Sequence, residues 1–310
     1  MTATDDRGRP AVVPLPPADE GGAPSRAATA PSTAERITPE SVVQLLRHAS
    51  VAGAARSAVR SPIDGAVLAQ VPRGTPGDVA AAVARARAAQ AAWESTPLRL
   101  RTALLLRVHD LLLDEREGLL DLVQAETGKA RVGALEELLD AAMTARFLAH
   151  HARRILRPRR RQGAVPLLTS AEVRQVPQGV VGIISPWNYP LTLDLSDALA
   201  ALVAGNAVVL KPDSRTPLTA LAMAELLQRA GLPDGLFVVV PGAGAELGTP
   251  LIDGVDHLMF TGSTATGRHV AEQCGRRLIA CTAELGGKNP MIVLADADLQ
   301  RAVDGAVWAC

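Results

Sequence analysis

The chain has 310 residues, room for about two domains. Lys plus Arg equals Asp plus Glu, 32 against 32, and zero net charge argues against a general nucleic-acid or membrane-surface binder. Hydrophobic residues make up 48% and aromatics only 2%, so the core must be built from Ala, Val, Leu and Ile.

In chain order, residues 1–35 are rich in Pro, Ala, Gly, Ser and Thr without an apolar period, and read as a disordered tail. They lack a basic segment followed by an apolar stretch, so no signal peptide is expected. Thr38-Pro39-Glu40 pairs an N-cap with proline at the first helical position and opens a helix. Residues 61–73 carry Pro62, Gly65 and Pro72 around a short apolar run, which predicts a hairpin. Residues 77–94, 97–126 and 132–156 are Ala/Leu-rich with helical period and polar faces. His150 and His151 are adjacent and point different ways on a helix, so no metal site is expected there. The basic run Arg153, Arg154, Arg157, Arg159, Arg160 and Arg161 reads as a solvated helix end and linker. It has no interleaved aromatics to stack on bases. Residues 157–177, broken by Pro158, Gly163, Pro166 and Pro177, read as an extended arm.

From residue 178 the texture changes. Strand-like runs at Val180–Ser185, Ala207–Lys211, Phe237–Val240, His257–Phe260 and Arg277–Glu284 alternate with helix-like runs at 191–203, 217–230, 245–252 and 264–274. This alternation predicts an α/β fold with an open parallel sheet. In such sheets the loops after the strands lie along one edge, where ligands bind. No run of about 18 apolar residues exists, so no membrane span is expected.

The chemistry-bearing residues fall just after those strands. Asn188 stands in Pro186-Trp187-Asn188-Tyr189-Pro190, and its amide N–H₂ can stabilise an oxyanion or cap a turn. Lys211-Pro212 follows a strand, and Lys211 can donate to ribose hydroxyls or snorkel at the surface. Only three of the 32 basic residues are lysines, Lys129, Lys211 and Lys288, which marks these positions in an Arg-rich chain. Phe260-Thr261-Gly262-Ser263-Thr264 reads as a strand end, a glycine turn and a helix start, able to meet a pyrophosphate or merely to turn the chain. A second turn, Gly242-Ala243-Gly244 through Gly248, has one residue too many for G-x-G-x-x-G. Glu284 falls near the offset at which a dinucleotide fold places its ribose-binding acid. The following Gly286-Gly287 lets backbone approach a ligand closely. The three cysteines, Cys274, Cys281 and Cys310, lack zinc spacing and cannot all pair, which fits a reducing, cytoplasmic compartment.

In order and spacing, Pro186-Trp187-Asn188-Tyr189-Pro190, Lys211-Pro212, Phe260-Thr261-Gly262-Ser263-Thr264 and Glu284-Leu285-Gly286-Gly287-Lys288 resemble the aldehyde dehydrogenase superfamily, over residues 36–310. The Lys-Pro-Asp-Ser stretch inclines the resemblance towards succinate-semialdehyde-type members. It implies a dinucleotide-binding domain over 36–156 and 178–283, with an N-terminal helical layer. It makes 157–177 a hairpin arm that bridges subunits of a homo-oligomer, and 284–310 the start of a truncated catalytic domain. It further implies Asn188 as oxyanion donor and Glu284 as the base that activates water. Ser185, Pro186, Trp187, Lys211, Ser214, Arg215, Gly244, Gly262, Ser263 and Leu285 would surround the cofactor. With Lys211 as ribose ligand, Glu284 is freer to act as the base. Relatives selective for NAD carry Glu three residues after this lysine. Here Ser214 and Arg215 follow instead, which favours NADP, with NAD possible. The substrate implied is a small aldehyde, oxidised to an acid through a cysteine thioester. The family nucleophile lies past Cys310, so the expectation is a chain inactive on its own. The alternative is a non-catalytic nucleotide-binding remnant. Leu299, Ala302, Val303, Ala306, Val307 and Cys310 share one apolar helix face, which predicts a buried, inert Cys310.

Overall fold

The computed structural model describes residues 37–165 and 168–309, so the tail expected over 1–35 lies outside it. Helix α1 (Pro39–Leu46) begins as read: Thr38 accepts from Ser41 N, with proline in the first turn. The hairpin comes earlier than expected, as antiparallel strands β1 (Arg56–Arg60) and β2 (Val67–Pro72). Helix α2 (Pro76–Trp93) opens on a capping box between Thr75 and Asp78. The single helix expected over 97–126 is two, α3 (Leu98–Asp114) and α4 (Arg116–Thr127), joined at Glu115. The leucines are interrupted at the joint by the polar stretch Asp114-Glu115-Arg116-Glu117-Gly118, and no Pro marks it. Helix α4 ends at Gly128 in the left-handed region, φ 73°, and α5 (Arg131–Leu156) follows.

Part of the basic run is a strand rather than a linker: β3 (Arg159–Gln162) pairs antiparallel with β4 (Ser170–Val173). All residues of both strands are exposed. Then come β5 (Val180–Ile184), α6 (Pro190–Val203), β6 (Ala207–Lys211), α7 (Pro217–Arg229), β7 (Phe237–Val239), α8 (Gly244–Gly254), β8 (His257–Thr261), α9 (Thr264–Arg277), β9 (Ala280–Glu284) and α10 (Leu299–Trp308). The strand expected from Arg277 starts later because α9 runs on to Arg277. Leu278 then takes a left-handed conformation, φ 56°, and breaks the helix.

The parallel sheet has the order β7-β6-β5-β8-β9. Strands β5, β6 and β7 are buried at every residue, the pattern of strands covered on both faces. Helices α2 and α8 pack together against β5 and β6. Helices α6 and α7 pack against β5, β6 and β7, with α3, α4 and α5 packed onto them. The start of β5 is locked by polar contacts. Asp256 accepts from Val180 N at 2.8 Å and pairs with Arg87 at 2.8 Å. A Cβ on Gly179, whose φ is +122°, would meet that Asp256 carboxylate at 2.3 Å, so only glycine fits.

Beyond β9 the picture changes. No residue of α10 is buried, and Leu299, Val303 and Val307 are exposed. The apolar face expected to bury Cys310 is therefore uncovered among the described residues, and Cys310 itself lies outside them. No described helix is long and apolar enough to cross a membrane.

Candidate functional site

Parallel pairing brings the strand ends together. Ile184 is paired with Lys211 on one side and Phe260 on the other, and Thr261 with Glu284. Chain direction along the sheet reverses at β5, since β6 and β7 extend one way and β8 and β9 the other. The segments 185–189, 211–215, 261–264 and 284–285 thus share the edge where an open α/β sheet forms its ligand crevice.

After β5, Ser185 is buried and its hydroxyl donates to buried Asp194. Burial pushes Asp194 well above the usual carboxylate range, against the Ser185 bond. Its Oδ2 has no hydrogen-bond partner among the described residues. Pro186 is half-buried, whereas Trp187, Asn188 and Tyr189 are exposed. The loop backbone is nevertheless held, because Lys129 Nζ donates to the Asn188 carbonyl at 2.6 Å.

After β6, Lys211 is 4% exposed, so it is not a snorkelling surface lysine. Burial lowers its pKa, opposed by Asp213 and Asp194. Its ammonium donates to the Pro212 carbonyl. Ser214 and Arg215 are exposed. The Arg215 guanidinium makes a two-pronged pair with Asp213, at 2.9 and 3.0 Å, and lies 4.6 Å from the Trp187 ring centroid. The β5 and β6 loops are thereby bridged by a cation–π contact. Helix α7 has no cap of its own. Buried Glu126 supplies one, accepting from Leu218 N and Thr219 N, both at 2.8 Å.

After β8, Gly262 makes the turn and Ser263 caps α9, accepting from Thr266 N at 3.2 Å. Gly262 N also donates to the Glu284 carbonyl at 3.0 Å. Glu284 is exposed at the end of β9, and its charge helps burial raise the pKa of Asp197 on α6. Leu285 packs on α9, where a Cβ on Gly267 would meet its Cδ2 at 2.3 Å. Gly244 opens α8 and is exposed, with no protein atom within 4 Å of an added Cβ. Nearby, Arg73 pairs with Glu246 in the first turn of α8.

The thiols are elsewhere in character. Cys274 is buried on α9, and burial followed by the neighbouring Cys281 pushes it up to about 12. Among the described residues no cluster of His, Cys, Asp and Glu is disposed to hold a metal ion. A polar cavity of about 670 Å³ lined by Arg47, His48, Arg85 and Asp234 lies at the start of β7, the opposite end of the sheet from these loops.

Four further residues support this edge, and local sequence discloses only one of them. Glu126, Glu137 and Asp194 are buried acids within helices, with nothing local to distinguish them from ordinary helix-face acids. Lys129 carried a signal in the scarcity of lysine.

The model of the aldehyde dehydrogenase family matches residues 50–310. The chain belongs to the aldehyde dehydrogenase family. A Mycolicibacterium smegmatis protein named "Putative succinate-semialdehyde dehydrogenase", with NADP(+) as its stated cofactor, is 55% identical over 246 residues. A Mycobacterium tuberculosis protein of the same description is 53% identical over 246 residues. Each alignment covers 79% of this chain and 48% of the relative, so the chain spans about half the length of these aldehyde dehydrogenases. Among solved structures, an Escherichia coli NADP-dependent enzyme has a TM-score of 0.80 at 34% identity, over 86% of this chain and 57% of that one. The Staphylococcus aureus betaine aldehyde dehydrogenase in complex with NAD+ has a TM-score of 0.79 at 30% identity, over 86% and 56%.

Proposed function

We propose that these residues form the cofactor-binding part of an NADP-dependent aldehyde dehydrogenase that oxidises succinate semialdehyde to succinate. In this reading 36–156 and 178–283 are the dinucleotide-binding domain and 284–310 opens the catalytic domain. The exposed β3–β4 hairpin, within 157–177, serves as the arm of a homo-oligomer. Free thiols at Cys274 and Cys281 fit a cytoplasmic setting. The observation that carries the reading is the meeting of the Asn188 loop, Lys211, the Gly262–Ser263 turn and Glu284 at one sheet edge.

The residues suit a dinucleotide. Lys211 uses one donor on Pro212, leaving others for ribose hydroxyls. Gly262 and capped Ser263 offer backbone N–H groups at the start of α9 to a pyrophosphate. Ser185, Pro186, Trp187 and Leu285 line the approach, and Gly244 adds a second open helix start. Ser214 and Arg215 receive the 2′-phosphate, Arg215 being aimed by Asp213 and Trp187. The bound cofactor supplies the hydride acceptor. Asn188 stabilises the oxyanion that forms when a thiolate adds to the aldehyde carbonyl. Glu284 takes a proton from the water that releases the acid.

A second reading is nucleotide binding without catalysis by these residues alone. It is favoured by Cys274, buried with a thiol held near 12, and by half-buried Cys281 inside β9.

The test is titration calorimetry with NADP and NAD. NADP should bind more tightly, and Ser214→Glu should weaken NADP selectively through repulsion of the 2′-phosphate. Tighter binding of NAD by the unmodified protein would overturn the cofactor assignment.

A further inference from the structure

Lys129 and Glu137 lie outside every strand-end loop, yet both reach one. Lys129 sits in the link between α4 and α5, and Glu137 on α5. The Glu137 side chain is fully enclosed. One of its oxygens accepts from the Lys129 ammonium, and Oε2 accepts from Leu191 N at 3.0 Å. The same ammonium donates to the Asn188 carbonyl at 2.6 Å and lies 4.1 Å from the Tyr189 ring centroid. Helix α6 has no side-chain cap of its own, and Glu137 provides one from another helix. A single ion pair therefore grips the loop at Asn188, Tyr189 and Leu191, leaving the Asn188 side chain exposed.

We infer that the Lys129–Glu137 pair is a positioning device: it fixes the backbone on both sides of Asn188 so that the amide is preorganised towards the substrate oxygen. This rests on the reading of Asn188 as the oxyanion donor. A donor stabilises developing charge only when it is held in place beforehand. Lysine suits the task because its compact ammonium can serve a carboxylate, a carbonyl and a ring face at once. A planar guanidinium fork has a different geometry. That lysine occurs here, in a chain with only three, accords with this demand.

The experiment is a double-mutant cycle in the complete enzyme carrying these residues, with succinate semialdehyde and NADP. Asn188→Ala should lower kcat by about 10² to 10³. Lys129→Arg keeps the charge and should lower kcat by about tenfold to a hundredfold. It should leave NADP affinity within about twofold, since the pair reaches the loop at Asn188, Tyr189 and Leu191 and not at the cofactor-lining Ser185, Pro186 and Trp187. Combining Lys129→Arg with Asn188→Ala should be no slower than Asn188→Ala alone, because no amide remains to be aimed. Penalties that multiply, or Lys129→Arg with unchanged kcat, would overturn the positioning role while leaving Asn188 its own. Unchanged kcat in Asn188→Ala would sink the oxyanion reading itself, and this inference with it. Glu137→Gln keeps an acceptor for Leu191 N but loses the charge that holds Lys129, and repeats the cycle independently. Failure of both variants to fold would make the pair a structural brace and overturn the inference.

Discussion

At the residue scale, burial decides what each charged or nucleophilic group can do. Lys211 is buried at a strand end with acids nearby, so it keeps its place without a surface partner. Arg215 is exposed but not loose, being clasped between Asp213 and Trp187. Cys274 illustrates the opposite outcome. Its thiol is enclosed and driven up to about 12 by burial and then by Cys281, so thiolate is scarce at neutral pH. Native alkylation with iodoacetamide, mapped by peptide mass, should therefore modify half-buried Cys281 well before Cys274. Faster labelling of Cys274 would mean that α9 opens readily from β9.

At the element scale, two helices that follow sheet strands borrow their N-caps from distant acids. Glu137 caps α6, and Glu126 caps α7 through Leu218 N, Thr219 N and the Thr219 hydroxyl. Glu126→Ala removes a buried acceptor from three donors and should cost about 2–4 kcal/mol in a urea titration. Burial outweighs those three bonds and raises the Glu126 pKa to about 7. The fold thus holds a proton that the unfolded chain releases in the ordinary carboxylate range. The stability Glu126 contributes is full below that range and is lost as pH rises through about 7. Burial raises Glu137, Asp194 and Asp197 too, so they add slope of the same sign. Asp78 and Asp213 are lowered and act only at more acid pH. The urea midpoint should fall between the ordinary carboxylate range and pH about 7, and Glu126→Gln should flatten this slope without abolishing it. An identical slope in the variant would show that Glu126 stays ionised in the fold.

At the scale of the whole molecule, the two edges of the sheet are treated differently. The outer edge of β7 is covered: Ser50 N donates to the Val239 carbonyl at 2.8 Å. The outer edge of β9 has no partner strand among the described residues, and most of β9 is exposed. After β9 in the chain, Ile292, Leu294, Leu299, Val307 and Trp308 are exposed as well. An open strand edge and exposed apolar side chains each invite association with another chain. The 310-residue chain should associate with rising concentration in sedimentation velocity, and Ala283→Lys on β9 should reduce this. Association untouched by Ala283→Lys would place the contact elsewhere, with the β3–β4 hairpin the next surface to vary.

Local pattern along the chain specified the alternation of strands and helices from residue 178 and placed the motifs at strand ends. These follow from local apolar period and from glycine and proline, which act over a few residues. Strand β6 at Ala207–Lys211 and the start of α7 at Pro217 were legible to the residue for that reason. The break at Glu115 was not, because the polar interval Asp114–Gly118 that carries it also suits the solvated face of one continuous helix. Nor was the exposure of α10, since an amphipathic face says what it can bury but not whether a partner element meets it. The family motifs pointed to Asn188, Lys211 and Glu284, but not to what holds them. Only the tertiary structure brought Glu126, Lys129 and Glu137 to the helix starts and loop they support. Such contacts join residues 50 or more positions apart, and no local pattern records a hydrogen bond between two elements until the fold has set them side by side.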